Sequence, residues 1–323
     1  MASPEGLTGK SMVAVGLIEA LTRTLGSVGV FRPLVRDGVP DAILQTLIEQ
    51  PGVNQSYEDG LGVTYDDVRA DATAAQATLV ERFGALKEKH ENVVILGSDY
   101  TATTSPTELT FNARVAANLN TPVILVVSGR NRTPEDIRSA AEGGPGAQLG
   151  GQGDRGLAEF RAHHAKVIAV IANRVSTLER ASSDEVDPAD LEAVRAELAK
   201  LPDVITAALP ADRLLAAPTV RAQFDAVEAN LVLGNPDLLD RESQDTLVAA
   251  MTLPNVLRRL TPESTVIMPG DRSDLLPGLL LAHRSGSFPP LAGIILLGGY
   301  EIPDTIVKLV DGIHNQLPIG MTN

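Results

Sequence analysis

Short apolar runs alternate with amphipathic stretches along the first two thirds of the chain. Four runs rich in Val and Ile have the length of a buried strand: residues 28–31, 92–96, 122–127 and 167–172. Helical patterns lie between and around them, over residues 10–25, 65–90, 106–119 and 188–201. Strand followed by helix, repeated, predicts an α/β fold with a doubly wound parallel sheet and helices on both faces.

A second and shorter α/β series begins after residue 211. Its predicted strands cover residues 229–233, 264–268, 291–297 and 317–321. Its predicted helices cover residues 254–260, 275–285 and 304–316. A chain of 323 residues has the length of about two domains. The sequence therefore predicts one domain over 1–211 and a smaller one over 212–323.

Composition and charge exclude several classes of protein. With 27 Lys and Arg against 41 Asp and Glu, the formal net charge is −14, which repels nucleic-acid phosphates and anionic lipid. The absence of cysteine excludes disulfides, thiolate nucleophiles and Cys-ligated metals. No apolar run is long enough for a membrane span, and no secretory signal opens the sequence. We therefore expect a cytoplasmic protein with neither a nucleic-acid nor a membrane partner.

Gly9, Lys10 and Ser11 directly open the first helical pattern. A Gly-Lys-Ser sequence at a helix start can wrap N–H groups round a phosphate, place an ammonium between phosphates and offer a hydroxyl to Mg²⁺. The motif is incomplete, because Pro4 occupies the position of the usual first glycine. The sequence predicts a phosphate site here, with Ser11 as a candidate metal ligand.

A phosphate loop normally follows a strand, yet only two residues precede Ser3. Either the first strand is missing from this chain or the sheet does not hold the loop; we expect a missing strand. The sequence also stops at Asn323, just after a predicted strand. Both ends suggest a piece of a longer protein.

The glycine-rich segment 143–156 contains Gly151, Gly153 and Gly156 in the spacing of a dinucleotide fingerprint. That fingerprint requires a strand before it, but here a helical stretch over 134–141 comes first. The segment is better interpreted as a surface loop.

Several short segments recur in order in one known family: residues 6–11 (GLTGKS), 30–33 (VFRP), 170–174 (VIANR), 268–274 (MPGDRSD) and 296–301 (LLGGYE). On these segments the chain resembles the N-terminal half of long-form bacterial phosphate acetyltransferases. That half consists of a P-loop domain similar to dethiobiotin synthetase, followed by a DRTGG domain. The acidic, Ala-rich composition suggests an actinobacterial member.

The resemblance implies a function other than catalysis for this chain. In that family a separate C-terminal domain transfers acetyl groups between coenzyme A and phosphate. The N-terminal half is linked to assembly and allosteric control. We therefore expect no catalytic residue here, a catalytic domain as partner, coenzyme A and phosphate as substrates of that domain, and a homo-oligomeric full-length protein.

The resemblance also implies a nucleotide site. Asp41 falls where the related synthetases have their first acidic ligand, so Ser11 and Asp41 are the expected Mg²⁺ ligands of a bound ATP. Asn173 matches the residue that reads adenine there, although it could equally be a strand-end turn residue. The second acidic position holds Leu96, and Asp99 follows three residues later. These positions favour nucleotide binding over ligase catalysis.

Three alternatives stay open. The chain could be a free-standing ATP-dependent ligase of the dethiobiotin synthetase type, or a stand-alone sensor of a nucleotide or metabolite. In the second domain, Asp271, Arg272 and Asp274 could form a ligand site or could cap the helix that begins at Leu275. Gly298 and Gly299 are expected in a tight strand-to-helix turn.

Overall fold

The computed structural model describes residues 1–98, 108–143, 156–176 and 187–323. The chain forms two compact units, Met1–Ala211 and Asp212–Asn323. Both units are α/β, as the sequence predicts. In the described ranges no helix has the length and apolar character needed to cross a membrane.

The first unit contains the following elements in chain order: α1 (Lys10–Leu25), β1 (Gly29–Val35), α2 (Ala42–Ile48), β2 (Leu61–Thr64), α3 (Tyr65–Ala70), α4 (Ala72–Lys89), β3 (Val93–Ile95), α5 (Glu108–Asn118), β4 (Val123–Arg130), α6 (Pro134–Glu142), α7 (Gly156–Ala162), β5 (Val167–Ser176), α8 (Pro188–Leu198) and β6 (Ile205–Pro210). A 3₁₀ turn at Glu58–Gly60 precedes β2.

Two three-stranded parallel sheets, β2-β1-β3 and β4-β5-β6, form the centre of this unit. Met1 and Ala2 lie between β3 and β4 and join them. Ala2 donates its N–H to Ile124 O (3.0 Å) and accepts from Val126 N–H (2.9 Å), while Met1 O accepts from Gly97 N–H (2.9 Å). The strand order is therefore β2-β1-β3, the Met1–Ala2 pair, then β4-β5-β6, and the loop that follows Ala2 is held by the sheet.

Helices cover both faces of these sheets. One core cluster packs α1 and α2 against β1 and β3, around Ile18, Leu44 and Val94. A second packs α4 against the opposite face, where the rings of Phe31 and Phe83 lie 5.6 Å apart. A third surrounds β4 and β5 with side chains of α5 to α8. All seven residues of β1 are buried, which is typical of a parallel strand covered on both faces.

Several predicted bounds differ from the structure, and two of the differences have identifiable reasons. The strand predicted to stop before Arg32 continues through Pro33 to Val35, beyond the last residue that pairs with β3. The missing N–H of the proline therefore costs no ladder hydrogen bond there. The single helix predicted over 65–90 is two helices, because Asp71 accepts from Thr73 N–H and Ala74 N–H and starts α4 anew.

The second unit consists of α9 (Arg213–Ala216), α10 (Val220–Ala226), β7 (Asn230–Leu233), a 3₁₀ turn (Pro236–Asp240), β8 (Asp245–Val248), α11 (Leu253–Leu257), β9 (Ser264–Pro269), α12 (Leu275–Ser285), β10 (Leu291–Leu297), α13 (Asp304–Gly312) and β11 (Ile319–Met321). Its five-stranded sheet has the order β7-β11-β10-β9-β8, and only the β7–β11 pair is antiparallel. It has its own apolar core, built largely on α12 and β10.

Candidate functional site

The loop between Ala2 and α1 is anchored to the carboxyl end of β4. Glu5 accepts two parallel hydrogen bonds from the guanidinium of Arg132 (both 2.7 Å) and a third from the N–H of Ser128 (3.0 Å). A bidentate, charge-assisted pair of this kind fixes position as well as charge. The loop that the sequence predicts to bind phosphate is therefore fixed to the end of β4 and directly follows the Met1–Ala2 pair of the sheet.

A second anchor comes from the carboxyl end of β5. Asn173 is buried and donates its Nδ2 to Thr8 O (2.8 Å), and Arg174 donates to Leu7 O (3.0 Å). Gly9 has a φ of 75°, and a Cβ added there would lie 2.6 Å from Asn173 Nδ2. Only glycine fits this combination of left-handed backbone and close approach.

Lys10 points into the protein at the carboxyl end of β3. Its Nζ donates to Gly97 O and Ser98 O (both 2.7 Å), and the side chain is 2% exposed. The guanidinium of Arg32 donates to the same Gly97 carbonyl (2.8 Å). Two cationic groups therefore donate to the same carbonyl at the sheet edge, and Arg32 also pairs with the carboxylate of Asp41.

Both carboxylate oxygens of Asp41 accept hydrogen bonds. Oδ2 accepts from Arg32 Nε (3.1 Å), and Oδ1 accepts from Leu44 N–H (2.8 Å), which caps α2. Its own N–H donates to Tyr57 OH (2.6 Å). To coordinate Mg²⁺, Asp41 would have to give up one of these partners.

The metal assignment of Ser11 and Asp41 stays a prediction. Ser11 lies in the first turn of α1, half-buried. Within the described ranges no group of three His, Asp or Glu residues is placed to hold a metal ion. Asp99, the substitute carboxylate named from the sequence, lies outside the described residues, as does the glycine-rich segment except for its first residue, Gly143, and its last, Gly156.

The first backbone amides of α1 lie outside its ladder of helical hydrogen bonds. Met12 N–H and Val13 N–H both donate to Gly9 O as the first helical bonds, so the amides of Gly9, Lys10 and Ser11 precede the helical ladder. Those amides lie at the positive end of the sixteen-residue helix α1. They and the Lys10 ammonium are the groups that would hold a phosphate.

The sequence predicted five site residues: Gly9, Lys10, Ser11, Asp41 and Asn173. The structure places Ser11 in the first turn of α1 and the other four at the carboxyl edge of the sheets of this unit. The prediction missed Glu5 and Arg132, whose side chains meet across 127 residues. No local signal identifies such a pair. Arg174 directly follows Asn173, and its positive φ of 59° is a backbone feature that the sequence alone does not show.

In the second unit, Arg272 forms two hydrogen bonds with Asp274 (2.9 and 3.0 Å). The guanidinium of Arg272 lowers the pKa of the Asp274 carboxyl below its ordinary value. Asp274 occupies the N-cap position of α12, but its side chain caps no amide of that helix. Gly298 and Gly299 both have positive φ (92° and 62°), as a tight turn after β10 requires.

Comparison with known protein families gives two domains in the order that the sequence resemblance implies. The AAA domain family matches residues 1–143, and the DRTGG domain family matches residues 224–323. Phosphate acetyltransferase of Synechocystis sp. is 26% identical over 335 residues, covering 100% of this chain and 45% of that protein. The chain matches the N-terminal half of long-form phosphate acetyltransferases.

Two further phosphate acetyltransferases show the same coverage. The Nitratidesulfovibrio vulgaris protein is 25% identical over 316 residues, which covers 95% of this chain and 42% of that protein. The Escherichia coli protein is 25% identical over 356 residues, which covers 100% of this chain and 46% of that protein. The chain thus spans less than half the length of the phosphate acetyltransferases it matches, and the resemblance found in its sequence is confirmed.

Proposed function

We propose that this chain is the regulatory and oligomerising portion of a phosphate acetyltransferase. The similarity that supports this covers 95–100% of the chain but only 42–46% of three relatives that carry that name. Acetyl transfer between coenzyme A and phosphate then belongs to the part of those proteins outside the match. That part is the partner of this chain, and the assembly is a cytoplasmic homo-oligomer.

The purified chain tests this directly. We expect no acetyl phosphate from acetyl-CoA and phosphate, with a full-length phosphate acetyltransferase as the positive control in the same assay. Sedimentation velocity over a range of protein concentrations should show a homo-oligomer. Acetyl phosphate formation by this chain, or a monomer at every concentration, would contradict the proposal.

We also infer that the loop at Gly9–Ser11 binds the phosphates of a nucleotide and that this binding is what regulates the assembly. The support is the position of the Gly9, Lys10 and Ser11 amides before the first helical bond of α1. ATP with Mg²⁺ is the proposed ligand, with Ser11 and Asp41 as the metal ligands. Lys10 must leave the Gly97 and Ser98 carbonyls to reach a phosphate, so binding moves its side chain. A ligase reaction is not proposed, because Leu96 stands where the second carboxylate of the related synthetases belongs.

Calorimetric titration with ATP, with and without Mg²⁺, tests the nucleotide site. Lys10→Met should weaken ATP binding by about tenfold or more, because it removes the charge and keeps much of the buried chain volume. The control is Lys87→Met, on the exposed face of α4. Equal affinity in the two variants would exclude this site. Binding that is the same with and without Mg²⁺ would exclude the metal role of Ser11 and Asp41.

A further inference from the structure

The strand β6 forms one edge of the β4-β5-β6 sheet. Ala211, directly after β6, donates its N–H to Val175 O of β5 (2.9 Å). Backbone groups alternate in direction along a strand, so the odd-numbered residues of β6 face β5 and the even-numbered ones face away from the sheet. The N–H and carbonyl groups of Thr206 and Ala208 therefore lie along an open edge. In the described part of the chain no hydrogen bond reaches these groups.

The sequence of β6 gives its open edge little protection. Edge strands are commonly blocked by charged side chains, by proline or by a covering element. The opposite edge of this unit, at β2, is blocked in this way, because Arg82 donates to Gly62 O (2.5 Å). β6 has the sequence Ile-Thr-Ala-Ala-Leu-Pro, which carries no charge, and its proline, Pro210, is the last residue. The edge is therefore available for pairing with another strand.

One face of β6 is uncovered as well. Ala208 packs in the core cluster beneath α8, so Ile205, Ala207 and Leu209 lie on the opposite face. Ile205 is 73% exposed and Leu209 is 40% exposed. Two large apolar side chains therefore reach solvent on either side of a small residue, Ala207. Apolar side chains beside an open strand edge favour pairing with another strand.

The pattern of exposed and outward-facing residues is the same when β6 is read in either direction. An antiparallel copy of β6, related by a two-fold axis at Ala207, places Thr206 opposite the partner's Ala208 and Ile205 opposite the partner's Leu209. Thr206 and Ala208 then form two hydrogen-bonded pairs of two bonds each through their outward groups. Ile205 and Leu209 form the pairs without backbone bonds, in which the side chains approach most closely.

The charges on α8 agree with the same axis. Glu197 bonds to Arg138 of α6 (2.8 Å) on the flank away from the open edge. Arg195 lies about 200° round the helix from Glu197, on the flank beside the edge, where it pairs with Glu192. α8 runs antiparallel to β6, and rises of about 1.5 Å per helix residue and about 3.3 Å per strand residue place these two charges level with Ala207. A two-fold axis there brings Arg195 close to the partner's Glu192, so the two copies have complementary charge.

We propose that two copies of this chain associate through β6, which pairs with itself in antiparallel direction about an axis at Ala207. The sheet then continues from one copy into the other, with α8 beside α8 of the partner. A two-fold contact of this kind uses the same surface of both copies. The second copy is favoured over an unrelated strand because one register satisfies the backbone groups, the exposed apolar side chains and the charges together. The inference rests on the homo-oligomer proposed above and names the contact that forms it.

Disulfide cross-linking tests the position of the axis. The chain has no cysteine, so Ala207→Cys gives each copy a single thiol. Directly opposed residues of such a pair have Cα atoms about 4.5 Å apart, which a disulfide can span. With copper phenanthroline as the oxidant we expect a covalent dimer, formed at least about tenfold faster than by Ala77→Cys, at an exposed position of α4. Equal rates in the two variants overturn the axis at Ala207.

Charge substitutions test the register, with sedimentation velocity as the measurement. Ile205→Lys places an ammonium opposite the partner's Leu209 and should raise the dissociation constant about tenfold or more. Leu209→Glu should have a similar effect. The double variant should recover association, because the lysine of one copy then faces the glutamate of the other. The control is Val80→Lys, at an apolar residue of α4 that is 47% exposed, and it should leave association unchanged.

The outcomes separate the β6 contact from the wider proposal. A wild-type chain that is monomeric at every concentration contradicts both the homo-oligomer and the β6 contact. An oligomer that is as stable in Ile205→Lys as in the wild type overturns the β6 contact alone. A double variant as weak as the single ones contradicts the register. Thermal melts establish that each variant folds, and where a charged variant does not, the cross-linking rates decide.

Discussion

Gly9 gives the loop before α1 a backbone shape that a residue with a side chain does not fit. Its φ of 75° is unfavourable for residues other than glycine, and an added Cβ would lie only 2.6 Å from Asn173 Nδ2. Gly9→Ala should therefore lower the free energy of unfolding by about 1–3 kcal/mol and abolish nucleotide binding. Urea denaturation measures the first effect and calorimetry the second.

Gly16 provides the matched control in the same helix. A Cβ added there meets nothing within 4 Å, and its backbone is helical. Gly16→Ala should stabilise the protein by about 0.5–1 kcal/mol, since alanine is the better helix former. A loss of stability at Gly16 like that at Gly9 would show that the shape of the loop is not the cause.

Asp41 combines a helix cap with a buried ion pair, and two substitutions separate these roles. Asp41→Asn keeps an oxygen for Leu44 N–H but removes the charge beside Arg32, whose side chain is 6% exposed. Asp41→Ala removes both. We expect the alanine variant to be about 0.5–2 kcal/mol less stable than the asparagine variant, the usual value of an N-cap. Equal stabilities in urea would mean that the cap contributes nothing.

At the residue scale the sequence predicted the local motif and missed the side chains that hold it in place. Gly9, Lys10 and Ser11 form a contiguous signal with a known chemistry. Glu5 and Arg132 carry no such signal, because their pairing is created by the fold. The orientation of Lys10 toward two carbonyls likewise depends on where β3 ends, which no spacing in the sequence specifies.

At the scale of the element, the Met1–Ala2 pair places an amino group inside the sheet. Because the pKa of this amine is lowered from 8.0 to about 5 in the folded protein, the unfolded chain binds more protons between these values. The free energy of unfolding should therefore fall as the pH is lowered from 8 to 5, by up to about 4 kcal/mol, and level off below pH 5.

N-terminal acetylation isolates this effect from that of the histidines. His283 also has a pKa lowered by burial, so it contributes a slope of the same sign below its ordinary value. The acetylated chain keeps the histidine slope and loses the part due to Met1. Denaturation midpoints of both forms between pH 5 and 8 give the difference, and identical profiles would contradict a buried amine.

Hydrophobic periodicity predicts some helices and strands of this protein better than others. α1 and β10 were predicted with the bounds that the structure has, because their apolar residues recur without interruption. β2, β6 and β8 were missed. All three are edge strands. β6 leaves half of its residues exposed and β8 has alternating exposed residues, so none presents a continuous buried run. Edge strands of this kind are specified by the neighbour they pair with.

At the scale of the whole molecule, each unit has its own apolar core. Leu125 is fully buried in the first unit and Leu280 in the second. Leu125→Ala and Leu280→Ala should each cost about 2–5 kcal/mol, but only in the unit that contains them. Hydrogen exchange resolved by peptide reads the two units separately. Equal loss of protection in both units from either substitution would contradict independent cores.

The position of Met1 and Ala2 also constrains the order in which the first unit can form. Met1 pairs with Ile95, 94 positions away in sequence, and Ala2 pairs with β4, more than 120 positions away. Closing such long loops is slow, because the chain loses conformational entropy before the new contacts can stabilise it. On a ribosome these two residues emerge before any partner exists and must wait until β4 has been synthesised. The beginning of this chain is therefore among the last parts of the unit to reach its final place.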